Sequence, residues 1–326
     1  MTPGTFRLFQ RLVHGRSDRA PLDGARYAAE AGISRAAVRR QIEQLRAAGL
    51  PVLVVRGSGY RLAWSLDLLD VDEIRRAGRL RDVGVEVHPC IDSTNQALVE
   101  SFRHRHAVLA EYQTAGRGRR GRGWISPPGC GISISFGFRF DAGLRRLGPL
   151  SLVAGVAVAE TLADEGVAVG LKWPNDLVVG HRKLGGLLVE IRGAGEGPCK
   201  VVIGVGVNAR LPRAEEAPEG YAPPDQPWTD LHATAAQAPG RNRLAGRLIA
   251  ALDVACREFE HAGFDPFAPR WAVLDALHGR RVRVSAGHHP VLEGLAEGVT
   301  DSGKLRVVAG ERHAEFDAGE VSVRAE

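Results

Sequence analysis

Lysine is almost missing from this 326-residue chain, which holds four (Lys172, Lys183, Lys200 and Lys304) against 39 arginines. A compact, strongly hydrated ammonium cannot be exchanged for a planar guanidinium at a tight site. The lysines therefore draw notice, and two of them close the ends of one stretch, KWPNDLVVGHRK. Chance clustering is the plain alternative. Cysteine is scarce too. Cys90, Cys130, Cys199 and Cys256 stand far apart, which excludes a metal-ligand spacing and a dense disulfide framework and points to a reducing cytoplasm. There is no unbroken run of about 18 apolar residues, so no membrane span is expected. Arg7 and Arg11 interrupt the apolar N-terminal residues and leave no signal-peptide core. A hydrophobic fraction of 44% is ample for real cores, and the length suggests two or three domains.

Charge is unevenly placed. Residues 1–64 carry eleven arginines, no lysine and four acids, a balance of +7, so the remainder carries −2 of the chain's +5. A basic module of this size points to nucleic acid, with a merely solvated surface as the bland reading. Helices are predicted over 5–14 and 22–31. A third opens at Ser34 as N-cap and stops at Gly49, with Val38, Ile42 and Leu45 as its core stripe. LPVLVVRGSGYRL then reads as strand, glycine turn, strand. Three helices and a hairpin form the winged helix-turn-helix pattern, with Arg35, Arg39, Arg40, Arg46 and Arg56 as candidate DNA contacts. A protein-docking module would share the same outline.

A polar helical linker follows over 65–80. In IDSTNQ, Ser93 and Gln96 have capping-box spacing, so Ser93 and Thr94 can be simple caps. GISISFGFRF alternates strictly: Ile132, Ile134, Phe136, Phe138 and Phe140 face a core, while Ser133, Ser135 and Arg139 face the other way. Residues 150–165 read as an apolar helix, and 167–208 as successive strands, antiparallel because their connections are short. Residues 210–227 hold five prolines and form a long irregular loop of the kind that serves as a lid. A helix near 241–262 follows, then short strands from about 278 that predict a small β-barrel.

Two segments carry chemistry. GRGRRGRGW, residues 116–124, interleaves four glycines and four arginines. It lacks the closing GK[ST] of a P-loop. Glycines let backbone N–H groups come close to a ligand, and arginines bind phosphate or carboxylate bidentately. An anion-binding loop is favoured over a surface basic loop. In KWPNDLVVGHRK, Asn175 and Asp176 can simply make a turn. With Lys172 and Lys183 they can also hold a phosphate and a carboxylate, and Asp176 offers the hard oxygen that Mg²⁺ prefers.

In this order the segments DSTNQ (92–96), QTAGRGRRGRGWISP (113–127), KWPNDLVVGHRKLGGLLVE (172–190) and GVGVN (204–208) resemble the biotin protein ligases. The resemblance covers about residues 80–326. With the N-terminal module it looks like the bifunctional bacterial form, ligase and biotin-operon repressor in one chain. Gly123 stands where some members carry lysine. The fold implied is α+β. A winged helix-turn-helix (1–64) and a linker (65–80) precede a catalytic domain with a central mixed or antiparallel sheet and helices, class II synthetase-like (81–275). A small SH3-like β-barrel (276–326) ends the chain.

The activity implied is ATP-dependent activation of biotin to biotinyl-5′-AMP, then transfer to a lysine of the biotin carboxyl carrier protein of acetyl-CoA carboxylase, with repression through operator DNA and a homodimer. The resemblance assigns biotin to Ser93, Thr94, Asn95, Gln113, Gly116, Arg117, Arg119 and Lys183. ATP and the adenylate fall to Arg117, Arg119, Arg122, Trp124, Lys172, Asn175, Asp176, Asn208, Trp228 and Arg324, with Mg²⁺ at Asp176. Lys183 and Arg119 are the catalytic candidates. The 210–227 loop and Trp228 would shield the anhydride from water. Trp124 can wall the biotin pocket or equally be plain core, and Asn208 and Arg324 are weaker candidates, residues of that kind being more often structural. Competing readings are a lipoate or octanoate ligase or transferase, and a ligand-sensing regulator without catalysis.

Overall fold

Three short helices, α1 (Pro3–His14), α2 (Gly24–Ala31) and α3 (Arg35–Ala47), precede a hairpin of β1 (Val52–Val55) and β2 (Gly59–Leu62). The computed structural model describes residues 1–14, 21–141, 143–193, 195–218, 221, 226–286, 289–318 and 322–325. Ser34 caps α3, its Oγ accepting from the Ala37 amide at 3.1 Å. Gly49 turns the chain out with φ 89°, a conformation glycine adopts without strain. Val38, Ile42 and Leu45 meet Leu8, Phe9 and Leu12 of α1 in a shared core.

That core does not end at the module's edge. Cys130 and Leu211 of the next domain complete it, and the Arg210 guanidinium lies over the Trp64 ring at 4.4 Å.

The middle of the chain runs α4 (Val71–Gly78), β3 (Gly84–His88), α5 (Thr94–Glu100), β4 (His106–Ala110), β5 (Gly131–Phe140), α6 (Leu150–Asp164), β6 (Gly170–Lys172), β7 (Asp176–Val179), β8 (Arg182–Arg192), β9 (Cys199–Asn208), α7 (Leu231–Thr234), α8 (Arg241–Ala262) and α9 (Ala268–Leu274). Seven strands form one sheet in the order β3-β4-β5-β9-β8-β7-β6. Pairing is antiparallel except between β3 and β4, which run parallel with α5 as their crossover. The phenylalanines and isoleucines of β5 face α6 and α8 in the main core. Leu144–Asp164, which contains α6, is long and apolar enough to cross a bilayer, yet 72% of its apolar 18-residue window is buried inside this fold. It is the central core helix.

The C-terminal strands are β10 (Arg281–Ala286), β11 (His289–Val299), β12 (Leu305–Ala309), β13 (Arg312–Phe316) and β14 (Ser322–Ala325). They form an antiparallel sheet in the order β13-β12-β11-β10-β14. The expected small barrel is this sheet; among the described residues no pairing of β13 with β14 closes it. It docks through Gly303, whose carbonyl accepts from Trp173 Nε1 at 3.0 Å.

The linker is strapped down. Arg241, at the start of α8, donates from Nε to the Gly131 carbonyl at 3.0 Å, from Nη1 to the Asp67 carbonyl and from Nη2 to Glu111 at 2.9 Å. The other Glu111 oxygen accepts from the Leu69 amide. The two side chains are only 6% and 3% exposed, so each charge depends on the other. Beyond the strap, α4 lies on α8 at glycine distance: a Cβ on Gly246 would stand 2.3 Å from the Ile74 carbonyl oxygen. Removing one member of a buried ion pair strands the other. Arg241→Ala is expected to cost about 3–5 kcal/mol in urea denaturation; a loss under about 1 kcal/mol, the range of exposed pairs, would show that Glu111 is not stranded.

Candidate functional site

The side of the sheet away from α6 and α8 is built in rows, because residues paired across strands share a face. Ser133, Gly206 and Gly186 form one row across β5, β9 and β8. Ser135, Gly204 and Leu188 form the next, then Gly137, Val202 and Glu190. Successive rows are about 7 Å apart. The first row has almost no side chain, and Trp124 lies in the space this leaves: a Cβ on Gly206 would come within 2.5 Å of its indole. The buried Trp124 Nε1 has no hydrogen-bond partner among the described residues.

Above this floor, α5 begins. Ser93 caps it, accepting from the Gln96 amide at 3.4 Å. The Gln96 side chain does not complete the capping box; it bonds Glu100 and Arg117 instead. From Thr94 a hydrogen-bond chain runs both ways. Gln113 Oε1 accepts from the Thr94 amide at 2.9 Å and its hydroxyl at 3.1 Å, and Gln113 Nε2 donates to Ser133 at 3.2 Å. Ser135 lies between Thr94 Oγ1, at 2.8 Å, and Asn95 Oδ1. Asn95 Nδ2 donates to Glu190 at 2.9 Å, and Glu190 pairs with Arg117 at 3.1 Å. Ser93, Thr94 and Asn95 are all buried.

The glycine–arginine segment is a small hairpin. Arg117 and Gly123 are bridged antiparallel, the Gly118 amide donates to the Arg122 carbonyl at 2.7 Å, and the Trp124 amide donates to the Gly116 carbonyl at 2.8 Å. Gly116 packs against the Trp124 carbonyl too closely for any Cβ. At the tip Arg119 turns inward. Its Nη1 donates to Asn175 Oδ1 at 3.2 Å and its Nη2 to the Ala318 carbonyl in the turn after β13. Burial first, then the charge of Arg120, lowers its pKa from the ordinary arginine value, against the pull of Asp176. A guanidinium so placed gains from an arriving anion.

Next to Asn175 in the chain, Asp176 meets Lys183, its Oδ1 lying 2.6 Å from Nζ. Lys172 is in register with Asp176 across β6 and β7. Asn175 is fixed by donating Nδ2 to the Leu187 carbonyl at 2.6 Å. Trp228 is brought alongside Lys183 by backbone bonds at 2.9 Å, from the Lys183 amide to the Pro227 carbonyl and from the Thr229 amide to the Lys183 carbonyl. The Arg213 guanidinium covers its ring at 4.9 Å and pairs with the fully buried Asp230 at 3.0 Å.

The structure thus brings together Ser93, Thr94, Asn95, Gln113, Gly116, Arg117, Arg119, Trp124, Lys172, Asn175, Asp176, Lys183 and Trp228. Arg122 lies on the returning arm of the hairpin and is exposed. Asn208 does a structural job, donating Nδ2 to the Thr229 carbonyl at 3.0 Å and so holding the Trp228 segment. Arg324 lies on β14 in register with Arg283, and its side chain is outside the described residues, as are 219–220 and 222–225 of the expected lid.

Of the DNA candidates, Arg35, Arg39, Arg40 and Arg56 are exposed, Arg39 beside Glu43 at 3.1 Å. Arg46 is not presented: its Nε and Nη2 both donate to the Val52 carbonyl, at 2.9 and 2.6 Å, stitching α3 to β1. Glu190, Ser133 and Ser135 were not among the predicted site residues. The alternation of β5 already turned both serines away from the core, and Glu190 closes the longest motif.

Comparison with known proteins gives three family matches: the Biotin/lipoate A/B protein ligase family over 87–208, the Biotin protein ligase C terminal domain over 277–324, and an HTH domain over 7–61. The chain is 39% identical over 298 residues to the bifunctional ligase/repressor BirA of Salmonella typhimurium, covering 90% of each chain. It is 36% identical over 220 residues to the biotin–[acetyl-CoA-carboxylase] ligase of Mycobacterium tuberculosis, 66% of this chain and 77% of that one. In fold it is similar to the biotin protein ligase of Aquifex aeolicus solved with biotin and ATP. There the TM-score is 0.61 at 24% identity, over 74% of this chain and 99% of that one.

The bare floor is testable. Gly206→Ala puts a methyl 2.5 Å from the Trp124 ring, an overpacking worth about 1–3 kcal/mol. Biotin affinity by calorimetric titration is expected to fall about 5- to 150-fold in a protein that still melts cooperatively. Unchanged affinity would mean that Trp124 does not border the bound ligand.

Proposed function

Since the chain belongs to the biotin protein ligase family, in its bifunctional ligase/repressor branch, we propose that Arg119, Asn175, Asp176 and Lys183 form the centre where a cytoplasmic carboxylate substrate, biotin, meets ATP. The observation that carries this reading is the convergence of Arg119 and Lys183 on consecutive residues, Arg119 bonding Asn175 and Lys183 pairing with Asp176. Two anions must meet for the reaction to begin, and preorganised cations stabilise the charge that develops. An oxygen of the biotin carboxylate attacks the α-phosphorus of ATP, and the bond to pyrophosphate breaks. The acyl carbon of biotinyl-5′-AMP is then attacked by a lysine amine of the carrier protein, and AMP leaves.

The biotin head group rests on the polar chain of Thr94, Asn95, Gln113, Ser133 and Ser135. A ureido ring can use such donors and acceptors, whereas the acyl chain of a lipoate or octanoate substrate cannot, so acyl-chain ligation is not favoured. Among the described residues no three metal-binding side chains cluster. Asp176 alone fits the single carboxylate that Mg²⁺ borne on ATP phosphates commonly uses, and the ion would there neutralise phosphate charge. Trp228, held beside Lys183, offers a face to the adenine.

Repression rests on the helix-turn-helix module. Arg35, Arg39 and Arg40 on α3, with Arg56 in the hairpin turn, meet operator DNA, and a homodimer matches the two-fold symmetry of paired half-sites.

Two outcomes are expected. Lys183→Ala lowers single-turnover adenylate formation about 10²- to 10³-fold, and Lys183→Arg does not restore it, because the larger fork cannot take the ammonium's place against Asp176. Wild-type adenylation by the arginine variant overturns the role given to Lys183. Arg35→Glu with Arg39→Glu abolishes operator binding in a salt-dependent mobility assay and leaves adenylation unchanged. Wild-type DNA affinity in that variant removes α3 as the reader. Charge reversal is a cleaner test than deletion of 1–64, since Cys130 and Leu211 share the module's core.

A further inference from the structure

Four arginines on one hairpin need not do one job, and their partners differ. Arg117 is already matched to a charge. Its Nη2 lies 3.1 Å from Glu190 Oε1, and its Nη1 lies 2.8 Å from Gln96 Oε1 and 3.5 Å from Glu190 Oε2. The acceptors that Arg119 bonds, Asn175 and the Ala318 carbonyl, are both neutral. We infer that Glu190 is a positioning residue that holds Arg117 as a structural anchor, so that the hairpin tip and Arg119, rather than Arg117, meet the substrate anions. This rests on the reading of the site given above and reassigns Arg117 within it.

Glu190 is well placed for the task. It stands on β8, two rows from Gly186 on the binding face, with a side chain 23% exposed. Its second oxygen accepts from Asn95 at 2.9 Å, and Asn95 is tied through Ser135 to Thr94. One carboxylate thus joins the biotin-head residues to the incoming arm of the hairpin. Drawing Arg117 off to a ligand would leave that carboxylate half-buried and short of its cation, which is unfavourable. The backbone bonds from Gly118 to Arg122 and from Trp124 to Gly116 pass the position of the anchored arm on to the tip.

The test compares Arg117→Gln, Glu190→Gln, the double variant and Arg119→Gln in the full chain. Pyrophosphate release gives KM for biotin and kcat, and gel filtration after one turnover gives the fraction of adenylate the protein retains. Each anchor variant is expected to raise KM about tenfold and to leak adenylate, with kcat within about threefold of wild type, because the loop is misplaced and the chemistry is intact. The double variant is expected to match the worse single one, since both remove one interaction. Arg119→Gln alone lowers kcat. The inference is overturned if Arg117→Gln loses kcat as Arg119→Gln does, if the anchor effects multiply, or if Glu190→Gln retains adenylate normally. If Glu190→Gln proves not to fold, the contrast in kcat between Arg117→Gln and Arg119→Gln decides. Absence of adenylate from the wild-type protein would fail the functional reading itself rather than this one.

Discussion

Everything at the binding face depends on side chains that are not there. A sheet ordinarily buries both faces under side chains or leaves one to water. Here Gly186 and Gly206 strip one row nearly to backbone, and Gly204 makes room in the next for Asn95, whose Oδ1 would lie 2.3 Å from any Cβ there. Trp124 and the start of α5 can then come down onto the strands. The opposite face is the reverse, with isoleucine and phenylalanine alternating along β5 against α6 and α8. One strand thus supplies a core on one side and two hydroxyls, Ser133 and Ser135, on the other.

Onto this floor the chain brings polar groups from three places. Arg119 comes from a loop, Asp176 and Lys183 come from neighbouring strands, and the Ala318 carbonyl comes from the turn after β13 in the C-terminal domain. The C-terminal domain therefore does more than follow the catalytic one. It holds the guanidinium at the hairpin tip and receives Trp173 from the segment that carries Asn175 and Asp176.

Much of this was legible in the sequence, for identifiable reasons. Helix α3 carries an apolar stripe between a clear start at Ser34 and a clear stop at Gly49, and α8 is long enough to announce itself. The Gly–Arg hairpin and the segment from Lys172 to Lys183, which the fold brings together, were legible because each is an unbroken run of unusual residue types. What stayed hidden depends on partners far away in the chain. GVEVH and HAVLA are too short to announce β3 and β4, still less that they pair in parallel. Helix α9 spans only two turns, and a proline stands near its start. Arg46 has the same exposed-looking helical position as Arg39, and only the folded hairpin shows that a carbonyl of β1 occupies it. Glu190 could be read as part of a motif but not as the partner of Arg117, 73 residues earlier.

The core shared by the N-terminal module and the catalytic domain bears on how such a chain can change over generations. Cys130 and Leu211 are buried at 0% and 1% exposure beneath the apolar core of the helix-turn-helix module. A descendant that dropped the first 64 residues would turn this apolar surface to water, a penalty of about 25 cal/mol for each Å² bared, and would carry an adhesive patch. Loss or gain of the DNA-reading arm is therefore not a simple matter of fission or fusion. It calls for matching polar replacements at positions that neither activity uses, and such replacements are the scar by which a past separation could be recognised.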